Sequence, residues 1–215
     1  MAISKYLQGK HKENLLIGIL IIFYTVGTVG ILLPAFRNQF LALSFFNLVL
    51  STTVVLLARK KDFLNFLFFL ALCFLTGMTA EWIGTKTGWL FGDYWYGKNL
   101  GPKIDGVPYV IGLNWGILVV SSASIINTVQ ANAIVKAILA ALLMTGLDFL
   151  MEPVAISSDF WHWKGEIPFY NYVCWFAISL PLHYIYFRWK IVETNKVFTS
   201  LFIILTIFFI ILNVF

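Results

Sequence analysis

Charged residues are scarce in this chain: 12% of its 215 residues are Asp, Glu, Lys or Arg, whereas 60% are hydrophobic. A soluble domain typically has about 25% charged and about 45–50% apolar residues. This composition excludes an ordinary soluble fold. Because a membrane-spanning helix uses about 20 apolar residues, the chain has room for about seven spans with short connections. We therefore predict a single multi-pass transmembrane domain over residues 1–215.

Cysteine and histidine are also rare, with two and three residues respectively. Cys73 and Cys174 lie within apolar segments, as is typical of small buried residues. His11, His162 and His183 are far apart in the sequence, and they form no HExxH or paired-histidine motif. We therefore expect no metal site.

Two other signatures are missing: a glycine-rich phosphate loop and the GxSxG motif of a nucleophilic serine. We accordingly predict no cofactor and no nucleophilic serine. The net charge of +5 does not indicate a nucleic-acid partner, because the basic residues form short runs beside apolar segments rather than a patch interleaved with aromatic residues.

Long, nearly uncharged runs predict an all-α bundle of about seven transmembrane helices. The first run, which follows Asn14, is too long for a cleaved signal peptide, so we expect a retained first helix. Short connections between the early runs favour an up-and-down arrangement. The predicted helices lie near 15–35, 39–58, 63–83, 108–130, 133–153, 169–187 and 197–214.

The basic residues predict the orientation of these helices. If seven spans are counted, most basic residues fall on the amino-terminal side, which is therefore the cytoplasmic side. We predict a multi-pass protein of a bacterial or archaeal cell membrane, with its amino terminus inside and its carboxyl terminus outside. The basic residues on that side are Lys5, Lys10, Lys12, Arg59, Lys60, Lys61, Lys136, Arg188, Lys190 and Lys196.

Acidic residues gather at the opposite, outer end. Asp148 and Glu152 are spaced i, i+4 in TGLDFLMEP, which places both carboxyl groups on one face of the fifth helix. Glu81 ends the third helix on the same side, and Asp93 follows in the next loop. Ionisable groups near hydrocarbon are costly and are usually functional. The alternative for the pair in the fifth helix is a structural role, satisfied by backbone groups or by a lysine on a neighbouring helix.

Aromatic residues accompany these acids in the outer loops. The loop after Glu81 is too long and too aromatic for a simple connection, and such a loop usually folds back over a site. For any single ring, the alternative is an interfacial aromatic belt. Small polar residues on the fourth helix can also serve helix packing. The candidate substrate-binding residues are Trp89, Tyr94, Tyr96, Asn114, Trp115, Trp161 and Trp175.

Five blocks carry a family resemblance: Glu81 with the Gly84 to Gly88 spacing, FGDYWY at 91–96, LGPKIDGVPYVIGLNW at 100–115, DFLMEPVA at 148–155 and FWHW at 160–163. Together they resemble the CruF-type family of carotenoid biosynthesis membrane proteins, which hydrate carotenoids such as bisanhydrobacterioruberin. The resemblance implies a hydro-lyase of the carotenoid 1,2-hydratase type. It also implies a lipophilic carotenoid substrate taken from the lipid bilayer.

The reaction implied by the resemblance is the addition of water to the terminal C1–C2 double bond of an acyclic end group. Protonation of this bond leaves a tertiary carbocation, which aromatic rings stabilise and a water molecule quenches. The resemblance assigns no catalytic residues, so these roles follow from chemistry alone. We expect Asp148 or Glu152 to donate the proton and Glu81 or Asp93 to orient the water. The candidate cation stabilisers are Trp89, Tyr94, Tyr96 and Trp115.

Other functions are compatible with the same residues. A carotenoid cyclase would use the same acid and rings but would end the cation by ring closure and proton loss. A non-catalytic carotenoid-binding or transport protein would also bind the polyene, although the inverted repeats typical of transporters are absent from the sequence. A prenyltransferase is disfavoured because its Mg²⁺ site needs Asp-rich motifs, whereas Asp148 and Glu152 form only DxxxE.

Overall fold

A computed structural model of the chain describes residues 2–189 and 191–215, with side chains from residue 9 onwards. Lys190 and the side chain of Lys5 therefore lie outside the described residues. The predicted all-helical class is confirmed. The helices are α1 (Ala2–Leu32), α2 (Arg37–Ala42), α3 (Ser44–Ala58), α4 (Phe63–Thr87), α5 (Tyr109–Ile126), α6 (Ala133–Ser157), α7 (Phe169–Arg188) and α8 (Lys196–Val214).

Five helices of the described chain are long and apolar enough to cross a membrane: α1 over Gly9–Leu32, α4, α5, α6 and α8. Helix α3 is apolar but has only 15 residues. Helix α7 has 20 residues but carries polar side chains such as Asn171, Ser179 and His183 along its buried face. The structure therefore agrees with the prediction of a multi-pass membrane protein, with five candidate spans in the described chain where about seven were predicted.

The predicted second helix, 39–58, is two helices, because the helix is interrupted at Leu43. The short α2 instead packs closely on the end of α1. A Cβ atom at Gly30 would lie 2.3 Å from the ring of Phe40, so this approach requires glycine. The contact is a tertiary one, which hydropathy along the sequence does not report.

The predicted fifth helix, 133–153, is also corrected. Helix α6 continues through Pro153 to Ser157, although proline removes one backbone hydrogen bond from a helix interior. Helix α4 likewise extends beyond the predicted 63–83 to Thr87. It ends at Gly88, which adopts the left-handed conformation that suits glycine and whose N–H donates to the Gly84 carbonyl.

The connections α3–α4 and α7–α8 meet at one end of the bundle. The Arg59 guanidinium lies 3.3 Å from the Glu193 carboxylate and also donates to the Ile191 carbonyl at 2.7 Å. The Asn195 amide donates to the Ala58 carbonyl at 2.9 Å. The carboxyl-terminal turns of α4 and α6 and the amino-terminal turns of α5 and α7 meet at the other end. The predicted candidate acids Glu81, Asp148 and Glu152 belong to this second end.

Short strands connect the two aromatic loops at the acidic end. Strand β1 (Tyr94–Tyr96) pairs antiparallel with β4 (Trp161–Trp163), and β2 (Lys103–Ile104) pairs with β3 (Val107–Pro108). Because side chains alternate along a strand, Tyr94 and Tyr96 are buried while Trp95 between them is exposed. The long loop after α4 therefore folds back over the bundle, as predicted, and β1 directs two phenols inward.

Candidate active site

Glu81 forms one half of a buried acidic cluster at this end of the bundle. Its Oε2 accepts hydrogen bonds from the hydroxyls of Tyr94 at 2.5 Å and Tyr96 at 2.7 Å. Its Oε1 accepts one from the Trp115 indole N–H at 3.1 Å. The carboxyl group is almost fully buried. Three donors therefore replace the hydration that Glu81 loses inside the protein.

Two glycines on α4 make room for these donors. Gly77 and Gly84 lie one helical turn before and after Glu81, so the three residues share one face. A Cβ atom at Gly77 would lie 2.4 Å from the Trp115 side chain, and one at Gly84 would lie 2.7 Å from the Tyr94 hydroxyl. Both distances are too short for any larger side chain without displacement of a donor to Glu81.

Glu152 and Asp148 form the other half of the cluster. Glu152 Oε2 accepts from the indole N–H groups of Trp161 at 2.9 Å and Trp163 at 2.8 Å. The Asn171 amide donates to Glu152 Oε1 and to Asp148 Oδ2, both at 3.0 Å. Asp148 Oδ1 is buried and has no hydrogen-bond partner in the described residues. Asp148 is therefore much less well supported as an anion than Glu152.

The three buried carboxyl groups have no neighbouring cation. Within the described part of the chain, no Lys, Arg or His forms an ion pair with Glu81, Asp148 or Glu152. Buried charges without a partner are strongly unfavourable. All three groups cannot be ionised together, so the cluster retains at least one proton. A retained proton is what a general acid requires.

The two phenols that face Glu81 remain neutral. Burial, followed by the nearby charge of Glu81, raises the pKa of Tyr94 and of Tyr96 well above the ordinary value of 10.0. Both hydroxyls therefore keep their protons at physiological pH. They act as fixed hydrogen-bond donors rather than as bases.

One cavity lies beside these acids, and a second cavity shares part of its lining. The smaller has a volume of about 20 Å³ and the larger about 360 Å³. A water molecule needs roughly 10–15 Å³ by this measure, together with polar partners, so the smaller cavity can hold one water. Glu81, Glu152 and Asn171 line the smaller cavity. Its other lining residues are Phe91, Tyr94, Tyr96, Ile111, Asn114, Trp161, Trp163 and Trp175.

The larger cavity is an apolar groove between α1, α2–α3, α5, α6 and α8, and we refer to it below as the apolar groove. It shares three lining residues, Ile111, Asn114 and Trp161, with the water-sized cavity. The two spaces are therefore adjacent. The groove reaches Trp161, whose indole N–H donates to Glu152.

A stacked pair of indoles backs the water-sized cavity. The Trp115 and Trp175 rings lie 4.4 Å apart between centroids with an interplanar angle of 4°. Trp175 lines the cavity, whereas Trp115 is fully buried behind it. The stack, together with the bond from Trp115 to Glu81, holds the Trp175 ring in one orientation facing the cavity.

The structure brings most of the predicted site residues together. Glu81, Glu152, Tyr94, Tyr96, Asn114, Trp161 and Trp175 line the water-sized cavity, and Asp148 and Trp115 lie directly behind it. Two predicted residues lie apart from this cluster. The Trp89 side chain is 78% exposed, and the Asp93 carboxylate is mostly exposed and faces Lys164 at 3.9 Å.

Sequence reasoning missed Trp163 and Asn171, which donate to Glu152. Trp163 follows Trp161 by two residues, a spacing that places both on one side of a strand. Asn171 is an isolated amide near the start of a long aromatic helix. Such an amide usually needs a buried partner.

Comparisons with known proteins support the resemblance seen in the sequence. The profile of a family described as "Carotenoid biosynthesis protein" matches residues 39–215. A bisanhydrobacterioruberin hydratase from Haloarcula japonica is 26% identical over 104 residues, a region that covers 44% of this chain and 36% of the hydratase. The chain thus spans about a third of that curated relative. No solved structure matches the chain.

Proposed function

This chain belongs to the carotenoid biosynthesis protein family, and from this premise we propose that it is a carotenoid hydratase. It adds water to the terminal C1–C2 double bond of an acyclic end group, forming a tertiary alcohol. The observation that carries the proposal is the water-sized cavity lined by two buried glutamates, which adjoins an apolar groove. The hydratase name of the Haloarcula japonica relative supports the same reaction.

Glu152 is the proton donor in this proposal. Trp161, which donates to Glu152, lines both the groove and the water-sized cavity, so Glu152 is placed beside the junction of the two spaces. The carboxyl proton moves to C2 of the double bond, and the two alkene electrons form the new C–H bond. C1 is left as a tertiary carbocation, and Glu152 becomes a carboxylate.

Glu81 is the base that completes the reaction. A water molecule in the small cavity attacks C1 through its oxygen and transfers one proton to the Glu81 carboxylate. Tyr94 and Tyr96 hold that carboxylate through its Oε2 atom. The product contains one added water, and transfer of the proton from Glu81 back to Glu152 restores the site.

Aromatic faces stabilise the intermediate cation. Trp161 lies at the junction of the two spaces, and Trp175 faces the water-sized cavity. A cation over a desolvated indole gains up to about 2 kcal/mol. Burial of the site also restricts the supply of water, so that the bound molecule is the one that quenches the cation.

Asp148 has a supporting role in this proposal. It lies outside the lining of either cavity, and the Asn171 amide bridges it to Glu152 by hydrogen bonds. We propose that Asp148 is the protonated, neutral member of the pair, because a second buried charge one turn away would oppose ionisation of Glu152. Asp93 and Trp89 have no part in the mechanism.

Expression in a lycopene-producing host followed by mass spectrometry of the extracted carotenoids tests this proposal. A product heavier by one water supports hydration. A new isomer of unchanged mass would indicate a cyclase, which uses the same cation but loses a proton after ring closure. The absence of any new product would indicate a carrier.

We further propose that the chain crosses the cell membrane seven times, with α2–α3 together as the second crossing and α7 as the sixth. The basic end of the bundle would then face the cytoplasm, in agreement with the positive-inside rule. Reporter fusions after Lys61 and after Phe215 should lie on opposite sides of the membrane. Equal reporter activity on one side would contradict seven crossings.

A further inference from the structure

The apolar groove has an open side between α1 and the α2–α3 junction. Several residues that line the groove are also exposed on the outer surface of the bundle. Ile22 and Val26 of α1 are 61% and 51% exposed, and Leu43 and Phe46 across from them are 50% and 63% exposed. A residue that both lines a cavity and faces outward marks its opening. We refer to the opening formed by these four residues as the mouth.

One side of the mouth belongs to a strongly apolar helix. Ile22 and Val26 belong to the candidate membrane span Gly9–Leu32, whose mean hydropathy is 2.5. The groove follows this helix from Ile22 as far as Ile31, so it runs along the membrane-spanning part of α1. With α1 across the bilayer as proposed above, the mouth would open to hydrocarbon rather than to water.

The interruption between α2 and α3 contributes to the mouth. Leu43, at the interruption, and Ser44, the first residue of α3, both line the groove. At its inner end, the groove reaches Ile111, Asn114 and Trp161, which also line the acidic cavity. The groove thus leads from the exposed surface of the bundle to the wall that it shares with the acidic cavity.

We infer that a linear polyene enters the protein sideways from the bilayer through this mouth, with its acyclic end leading. The end group reaches the water-sized cavity, while the rest of the chain lies in the groove and in the surrounding lipid. This inference rests on the proposed function. It identifies the occupant of the groove as an isoprenoid chain rather than a lipid acyl chain, because only the former carries the terminal alkene that the adjoining acids can protonate.

Gly27 provides a direct test, since it lies on the groove wall and a Cβ atom there would meet nothing within 4 Å. Gly27→Phe should therefore fold normally but fill the groove, reducing hydrated carotenoid at least tenfold. The matched control is Gly18→Phe on the same helix. A Cβ atom at Gly18 also meets nothing within 4 Å, but Gly18 does not line the groove. Equal yields from the two variants, at matched protein level, would overturn the inference.

A cross-linking experiment separates this inference from the proposed function, because it requires no turnover. Phe46 or Phe68 is replaced by a diazirine-bearing phenylalanine, and the protein is reconstituted with lycopene in lipid nanodiscs. Both positions are about equally exposed, but only Phe46 lines the groove.

Illumination should give at least tenfold more lycopene adduct at Phe46 than at Phe68. Equal lycopene adducts, or lipid adducts alone at both positions, would overturn lateral access even if the wild-type protein hydrates carotenoids. A selective adduct without any hydrated product would support access and refute the proposed function.

Discussion

Replacing the two acids of α6 one at a time separates the proton donor from its neighbour. Glu152 lines the water-sized cavity, whereas Asp148 does not. We expect Glu152→Gln to reduce turnover by about 10²–10⁴-fold, the usual contribution of a general acid. Asp148→Asn should reduce it by less than about tenfold, because Asp148 does not line the cavity and its neutral form is retained in shape by the amide.

The hydrogen bonds determine how well each variant folds. In Glu152→Gln the new amide oxygen can face the two indole donors, and the new NH₂ then faces Asn171, which must turn its own amide. One mismatched buried polar group costs about 1–3 kcal/mol. Asp148→Asn keeps an oxygen for Asn171 and changes only the position that already lacks a partner. It should therefore cost less stability.

The assay is the yield of hydrated carotenoid in membranes whose variant protein level is matched to wild type by immunoblot. Glu166→Gln, at an exposed glutamate, is the control for the same chemical change outside the cluster. Near-normal yield from Glu152→Gln would refute its assignment as donor. A loss in Asp148→Asn as large as that in Glu152→Gln would show that the two acids act as a unit.

Three further predictions concern the Glu81 side of the site. Gly77→Ala should displace the indole that donates to Glu81, which should cost about 1–3 kcal/mol of stability by overpacking and lower the yield of carotenoid product. Gly146→Ala is the control, because a Cβ atom there meets nothing within 4 Å, and it should have neither effect. As the pH rises through about 10, the unfolded chain loses the phenolic protons of Tyr94 and Tyr96 before the folded chain does, so thermal stability should decrease there. The double variant Tyr94→Phe, Tyr96→Phe should lack part of that decrease in a thermal unfolding series. Turnover should be unaffected by a chelator, because phenol and indole donors engage both oxygens of Glu81 and leave that carboxylate poorly placed to bind a metal ion. Loss of turnover that a divalent ion restores would contradict this.

Much of the architecture follows from local sequence patterns. Long apolar runs predict the long helices, since a bilayer span and a buried helix both require them. The i, i+4 spacing of Asp148 and Glu152 places them on one face of α6, and the aromatic loop after Glu81 does fold back over the bundle. The family resemblance rests on motifs in these same segments, and the match over residues 39–215 confirms it.

The remaining features depend on contacts between distant segments. The interruption at Leu43 and the passage of α6 through Pro153 are not visible in the hydropathy of the segment. The pairing of β1 with β4 joins two loops that are far apart in the sequence, so the meeting of Tyr94 with Trp163 has no local signal. The same limit explains why the spacing of the α6 acids could not distinguish the residue that lines the cavity from the one behind it.

The proposed function depends on one step, in which the acidic cavity adds a water molecule to a carotenoid end group. Its most direct test is turnover of lycopene by the purified protein in lipid nanodiscs prepared in heavy-oxygen water, with mass spectrometry of the product. We expect one heavy oxygen atom for each end that reacts, and loss of this product in Glu152→Gln. A product of unchanged mass, or an added oxygen that carries no label, would contradict it.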